Sequence, residues 1–214
     1  MSLKIGITRF LGTNCDDDVK KWVQSISHHP EYLWFEDQFN IDDYDMVIIP
    51  GGFSHGDYLR CGALAAHTPV MKSVKEFANK GKPILGICNG FQILCEAGIL
   101  PGVLLKNDSL KFKDEWTSLK VNQNKTIFLN KAQKNQIIRL PIAHGEGKYY
   151  AESSTLKKLA DNEQIWLTYE NNPNGAALNI AGITNENKNV CGLMPHPERA
   201  LFDWMGGTDG MFFL

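Results

Sequence analysis

No stretch of the chain approaches the roughly 18 consecutive apolar residues that a membrane-spanning helix needs. The opening Met1-Ser2-Leu3-Lys4-Ile5 lacks the layout of a signal peptide. There is no Cys-x-x-Cys pair, and the cysteines number five, an odd count. Both facts speak against a disulfide scaffold and a structural zinc site, so a cytoplasmic chain with no metal of its own is expected. Net charge is scarce too. A formal net charge of −2 gives no electrostatic reason to expect nucleic acid or an anionic membrane as partner. No Gly-x-x-x-x-Gly-Lys-Ser/Thr loop occurs, so nothing here is built to cradle a nucleotide triphosphate. No linker, repeat or low-complexity tract divides residues 1–214, and a single domain is expected over that range.

What remains is an ordinary globular composition, 43% hydrophobic and 21% charged over 214 residues, long enough to bury a sizeable core. Pro83 to Ile87 is a short apolar run, as a buried parallel strand would be. From Asn89 the apolar spacing turns helical, with Phe91, Leu94 and Cys95 on one side and Gly98 as the stop. Cys88 sits on the seam between Gly86 and Gly90. This is a strand–turn–helix elbow in the style of Gly-x-Ser-x-Gly, with sulfur for oxygen. The glycines are expected to permit the turn and to leave room for substrate. The helix N-terminus behind Cys88 favours a thiolate. A buried structural cysteine is the competing reading, and the complete elbow spacing argues against it.

Around this elbow the chain reads as alternating strands and helices. Lys4–Thr8, Tyr32–Phe35 and Met46–Ile49 are expected strands. A helix is expected from Cys15 to about Ser27, capped by Asn14, with Asp16, Asp17 and Asp18 in its first turn, where the dipole favours them without any metal. His28-His29-Pro30 would end it. Thr68-Pro69 opens the next helix, whose buried stripe is Val70, Val74, Phe77 and Ala78. From Gly102 to about Ala143 the texture changes to short apolar stretches, Ser118–Val121, Thr126–Leu129 and Ile137–Ala143, expected as antiparallel strands extending or flanking the main sheet. A short helix at Thr155–Asp161 and strands at Ile165–Tyr169, Ile180–Thr184 and Val190–Met194 follow. The order predicts an α/β protein with a doubly wound, mostly parallel sheet, helices on both faces and extra antiparallel strands.

Pro195-His196-Pro197-Glu198 follows the last strand. Two prolines restrict the backbone around His196, and residues two apart in an extended segment project to one side. The imidazole can then face Cys88 while Glu198 holds its other nitrogen. Alone, His-Pro-Glu is a weak signal; beside a cysteine elbow it is a strong one. The set suits acyl transfer: thiolate attack on an amide carbon, with His196 protonating the leaving amine. Asn89 supplies one oxyanion N–H, and the Gly51-Gly52 loop after a neighbouring strand is placed to supply the other.

The chain resembles the class I (triad) glutamine amidotransferases, whose fold is flavodoxin-like. The matching stretches are Gly12–Asp16, Gly51–Arg60, Gly86–Gln92, Ala143–Gly147, Pro173–Gly175 and Pro195–Arg199. The elbow and His-Pro-Glu mark the superfamily, and Gly56–Arg60, Cys88–Gln92 and His144–Gly147 mark its purine-synthesis branch. The resemblance implies that Cys88, His196 and Glu198 hydrolyse L-glutamine to glutamate and ammonia. It implies an oxyanion hole from Gly52 and Asn89, and glutamine binding by Gln92, Asn107, Ser109 and Phe112. It further implies that ammonia passes to a large synthetase subunit, usually accompanied by a small accessory subunit. That partner would use ATP and magnesium to convert formylglycinamide ribonucleotide to its amidine. Arg60 and His144, on polar loops near the expected mouth, are candidate partner or channel contacts. His55 stands where that branch usually has Tyr, and Leu11 where it often has Pro. A free-standing cysteine hydrolase or protease on a similar sheet is the alternative. A non-catalytic binding module would explain the fold but not the three residues together.

Overall fold

The computed structural model describes residues 2–129 and 131–214; Met1, which opens the amino-terminal segment, and Asn130, within the 102–143 stretch, lie outside them. The first half builds the expected alternation: β1 (Lys4–Arg9), α1 (Asp16–Ser25), β2 (His29–Trp34), β3 (Met46–Ile49), α2 (Pro69–Asn79), β4 (Ile84–Ile87) and α3 (Asn89–Glu96). β3 and β4 are buried at every residue, as four-residue apolar runs covered on both faces must be. The second half follows as β5 (Val103–Leu105), β6 (Lys113–Val121), β7 (Ile137–His144), β8 (Lys148–Tyr150), α4 (Ser153–Asp161), β9 (Ile165–Tyr169), β10 (Ile180–Thr184) and β11 (Val190–Leu193).

Nine strands form one sheet in the order β2-β1-β3-β4-β11-β10-β9-β6-β7, and β5 and β8 pair in a small antiparallel ladder. β2 through β11 in that order pair in parallel; the remaining pairings are antiparallel. Because the antiparallel pairings alternate, only β10 and β6 run against the other strands of the sheet. Both edge strands carry a proline, Pro30 in β2 and Pro141 in β7. A proline cannot donate to a ladder, so it is tolerated at an edge and discourages pairing with another chain there. The right-handed crossover rule puts α1 on one face and α2 and α3 on the other.

Three local readings differ. α1 is capped at Cys15, with no side-chain cap bond, and Asn14 instead accepts from the Cys15 thiol at 3.2 Å. The helix ends at Ser25, and His29-Pro30 opens β2 rather than closing α1. Thr126–Leu129 is no strand. Val121 N–H donates directly to Gln136 O, so the described residues between bulge out, and Phe128 and Leu129 plug the core from an irregular turn. The acidic triplet lies in the first turn of α1 as expected, and its members take separate partners: Asp16 pairs with Arg9, Asp17 with the Tyr32 hydroxyl and Asp18 with Arg199.

One register decides where the chemistry lies. β11 pairs with β4 so that Ile87 faces Leu193. The residues that follow, Cys88 on one strand and Pro195-His196 on the other, therefore leave the sheet side by side, and Cys88 N–H donates to Leu193 O at 2.8 Å. Residues 97–189 are an excursion between two neighbouring strands.

Candidate active site

Cys88 adopts φ 51°, ψ −105°, a left-handed conformation that a side chain resists, and is almost fully buried between β4 and α3. Strain of this kind, about 1–3 kcal/mol, persists only where the surroundings impose it. The flanking glycines explain the imposition. A Cβ on Gly90 would collide with the Ile49 carbonyl, and one on Gly86 would stand 2.7 Å from Gly90 O. They let α3 lie flush on the sheet, rather than making room for substrate as expected. The turn itself is taken by the cysteine.

The loops after β1 and β3 zip together at the point where strand order reverses. Thr13 bridges Gly52, Phe53 N–H donates to Gly12 O at 3.0 Å and Cys15 N–H to Gly51 O at 3.3 Å. Gly52 has φ 149° and no space for a side chain against Thr13 and Asn14. A Cβ on Gly51 would stand 2.8 Å from His196 Cε1, 3.0 Å from Cys15 Sγ and 3.4 Å from Cys88 Cβ. Two thiols and the imidazole thus crowd one glycine.

His196 and Glu198 are both buried, joined by an Nδ1–Oε1 hydrogen bond of 2.6 Å. Burial works against charge on the imidazole, but the Glu198 carboxylate and then the nearby Cys88 sulfur outweigh it and hold the His196 pKa well above its ordinary value. His196 Nε2 has no hydrogen-bond partner among the described residues and is free for the reaction.

The cysteine opens onto two cavities. One, about 140 Å³, is lined by Asn14, Cys15, Phe53, Phe112 and Arg199 beside Cys88 and His196. The other, about 20 Å³, lies among Asp57, Cys61, Gln92, His144 and Glu146. Gly52 and Cys88 border both. A larger cleft of about 410 Å³ at Lys4, His29 and Glu31 lies at the amino ends of β1 and β2, and no cysteine is among its described lining residues.

Among the other expected site residues, Gly52 and Asn89 flank the nucleophile. The Asn89 side chain accepts from Ser54 N–H at 3.1 Å and donates to Gln92 Oε1 at 2.9 Å, and Gln92 Nε2 donates to Glu146 O at 2.6 Å. Gln92 so ties α3 to the 144–147 loop. Asn107 is fully buried and fully used: Nδ2 donates to the carbonyls of Lys111 and His144, both at 2.9 Å, and Oδ1 accepts from Gly147 N–H at 3.0 Å. It clasps two loops together. Ser109 accepts from Lys111 N–H at 3.3 Å, outside both cavities. Phe112 is half exposed at the wider cavity. Arg60 is exposed and pairs with Glu96 through Nε and Nη2. His144 does not sit on an outer loop. It is 3% exposed and lines the small cavity, so a surface contact with a partner is closed to it.

Cys15, Asp57, Glu146 and Arg199 line the cavities beside the nucleophile although the sequence singles out none of them: Cys15 reads there as a core or loop residue, and Asp57 and Glu146 only as members of the loops that carry Arg60 and His144. Arg199 Nη2 donates to Cys15 Sγ at 3.0 Å. Burial raises the Cys15 pKa in spite of its contact with His196. Cys15, His196 and Glu198 offer ligating atoms within 4.8 Å of one another. The Arg199 charge beside that thiol opposes a cation, and Glu198 already occupies His196 Nδ1. The available signal was topological: a loop at the switch point must face the strand beside it, and Arg199 directly follows Glu198.

The family model for the CobB/CobQ-like glutamine amidotransferase domain matches residues 2–208. The structure of PurLQS from Thermotoga maritima is 42% identical, covers 99% of this chain and 95% of that one, and superposes with a TM-score of 0.92. A glutamine amidotransferase from the same organism is 17% identical over 94% of this chain and 78% of its own, with a TM-score of 0.61. A putative GMP synthase component from Thermoplasma acidophilum is 14% identical over 92% and 85%, with a TM-score of 0.62. These last two share the fold. With nearly the whole chain inside the family model and a relative this similar along its whole length, the protein belongs to the glutamine amidotransferase family.

Proposed function

We propose that this chain is the glutaminase subunit of phosphoribosylformylglycinamidine synthase, supplying ammonia for purine synthesis. The observation that carries the reading is the pairing of β4 with β11, which brings Cys88 beside the His196–Glu198 pair. The 42% identity to PurLQS supports the purine branch over a free-standing cysteine hydrolase. The Cys88 sulfur attacks the side-chain carboxamide carbon of L-glutamine. The carbonyl oxygen gains charge as the tetrahedral intermediate forms, and the N–H groups of Gly52 and Asn89 receive it. Protonated His196, held by Glu198, gives its proton to the departing nitrogen, and ammonia leaves a thioester on Cys88. His196, now neutral, takes a proton from water, and the resulting attack releases glutamate and the thiol.

The energy-requiring step belongs to a large synthetase subunit that uses ATP and magnesium, with a small accessory subunit; this chain needs no cofactor for its own half. Arg60, on an exposed loop, is the candidate contact with that partner. The reading places the chain in the cytoplasm. No described helix is long and apolar enough to cross a membrane. The test is release of glutamate from L-glutamine by the full chain, with and without the nucleotide-bound synthetase partner. Glutamate release stimulated by the partner is expected. Absence of glutamine hydrolysis in the assembled complex, or hydrolysis indifferent to the partner, overturns the reading.

A further inference from the structure

Two backbone N–H groups from different segments must converge on one developing oxyanion, and they are effective only if held in place beforehand. Asn89, the first residue of α3, offers an N–H that no helical carbonyl can meet. Gly52 offers the other, from the loop after β3. That loop is anchored on its β1 side, where Phe53 N–H donates to Gly12 O at 3.0 Å, Cys15 N–H to Gly51 O at 3.3 Å and His55 N–H to Leu11 O at 2.6 Å. These bonds hold Gly52 to the 11–15 segment. They do not fix it against α3.

The Asn89 side chain does. Its Oδ1 accepts from Ser54 N–H at 3.1 Å, two residues beyond Gly52, and its Nδ2 donates to Asp57 Oδ1 at 3.3 Å. Among the described residues, every hydrogen bond between the 51–57 segment and α3 runs through this one amide. Its orientation is fixed. Ser54 N–H can only donate, so oxygen faces it, and the amino group is left for the Asp57 carboxylate and for Gln92 Oε1 at 2.9 Å. Gln92 is oriented in turn, and its Nε2 donates to Glu146 O at 2.6 Å. Ser54, Asn89 and Gln92 are all buried, where a lost partner is costly to replace. Beyond Ser54 the backbone is strained rather than self-supporting: His55 and Asp57 take left-handed φ values of 52° and 53°.

We infer that the Asn89 carboxamide is a positioning group for the oxyanion hole: the residue that gives one N–H also sets, through Ser54, the placement of the other. The inference rests on the glutaminase reading and concerns the side chain alone, since the backbone N–H of position 89 survives any substitution but proline. A misplaced donor weakens the transition state more than the ground state, because the carbonyl oxygen gains its charge only as the tetrahedral intermediate forms. Loss of the side chain therefore shows in kcat. A side chain that merely held substrate would show in KM instead.

The variants are Asn89→Ala and Asn89→Leu. The second keeps the bulk of the side chain, so a loss common to both is not the effect of a cavity. Each is assembled with the nucleotide-bound synthetase partner and assayed for glutamate release. In both, kcat should fall about 10- to 100-fold, less than removal of a whole donor, with KM within about threefold. Two probes of Cys88 then separate positioning from general damage. Glutamate γ-semialdehyde takes up the thiol across its aldehyde: the S–C bond forms, the C=O π pair passes to oxygen, the thiol proton follows it, and that oxygen lies in the hole. Its affinity should fall by a factor close to that in kcat/KM. Iodoacetamide alkylates the same sulfur by displacing iodide, with no charge built on an oxygen, and its labelling rate, followed by mass spectrometry, should stay within about threefold. An unchanged kcat in both variants, or a raised KM at unchanged kcat, overturns the inference. Equal loss of both probes overturns it too, because it marks a disordered site. Absence of glutamine hydrolysis in the unmodified complex is a separate result, which removes the glutaminase reading first and the inference with it.

Discussion

The parallel half of the sheet and the excursion at residues 97–189 position their site residues by different physics. In the parallel half, strand pairing sets the geometry. Cys88, Gly51-Gly52 and His196 each follow the last residue of a buried strand, and the register of β3, β4 and β11 places them within reach of one another. In the excursion, side chains hold loops. Asn107 ties Lys111 to the 144–147 loop, and Asn174 Nδ2 donates to Gly147 O at 2.9 Å. A sheet register is shared by many bonds, whereas a clasp depends on one residue. On the proposed reading, chemistry is therefore mounted on the part that resists local change, and the expected glutamine contacts on the part that single substitutions can loosen.

The sharpest test of that division is removal of the nucleophile. Cys88→Ala should abolish glutamine-dependent synthesis in the assembled complex and leave ammonia-dependent synthesis running, with a thermal midpoint near that of the unmodified chain. Alanine keeps the Cβ and so the same strained φ, and only the sulfur's packing is lost. Glutamine-dependent turnover at a near-normal rate would sink the assignment of Cys88.

The proton-transfer pair comes next, with unequal weights. His196→Ala should cost about 10²–10⁴-fold in kcat, the usual worth of a general acid–base. Glu198→Gln should retain more, because it orients and charges the imidazole without touching substrate. It should also move the pH profile. Glu198 raises the His196 pKa, so removing its charge lowers that pKa. The alkaline limb, where His196 loses its proton, then shifts to lower pH. An unmoved limb would point to a different partner for His196.

On the cradle side, Asn107→Ala should act through stability and substrate affinity. It strands buried carbonyls and the Gly147 N–H, at roughly 1–3 kcal/mol for an unsatisfied buried group. A midpoint lowered by several degrees and a raised KM for glutamine, with kcat less affected, are expected. A fall in kcat with unchanged stability would place Asn107 in the chemistry and erase the contrast between the halves.

How much of this was legible in the sequence follows the same division. Met46–Ile49, Ile165–Tyr169 and Ile180–Thr184 emerged with the bounds expected from their apolar runs, because buried strands write themselves as short hydrophobic stretches. The elbow and His-Pro-Glu were readable because backbone constraint and chemistry coincide in adjacent residues. Thr126–Leu129 carries the same apolar signal as a strand, yet serves as a plug under a loop, and composition does not distinguish the two. His144 adjoins a glycine-rich polar segment that reads as surface, yet it is the last residue of β7 and falls on that strand's buried face with Ile138, Leu140 and Ile142. Cys15 is silent in sequence for the same reason: its neighbours Arg199 and His196 come from the far end of the chain.

The smallest effect on the isolated chain, and the most informative about assembly, is expected at Arg60. Its guanidinium makes a two-pronged pair with Glu96, but it is largely exposed, and such pairs contribute about 0–1 kcal/mol. Arg60→Ala should therefore leave the melting midpoint within a few degrees. The loop that carries it is unusual. His55, Asp57 and Leu59 all take left-handed φ values, and Tyr58 and Leu59 hold their side chains out, 73% and 85% exposed. Two large apolar side chains on a strained backbone are costly to present to water without a partner to cover them. Asp57 on the same loop borders the small cavity beside Cys88, so a partner pressing on Tyr58 and Leu59 would also settle the cavity wall. Arg60→Ala should then lower partner-stimulated glutaminase activity severalfold while the unstimulated rate stays close to its starting value. The measurement is glutamate release against increasing synthetase concentration. Equal losses with and without the partner would make Arg60 a brace for the cavity alone, and would leave the exposed loop without a docking role.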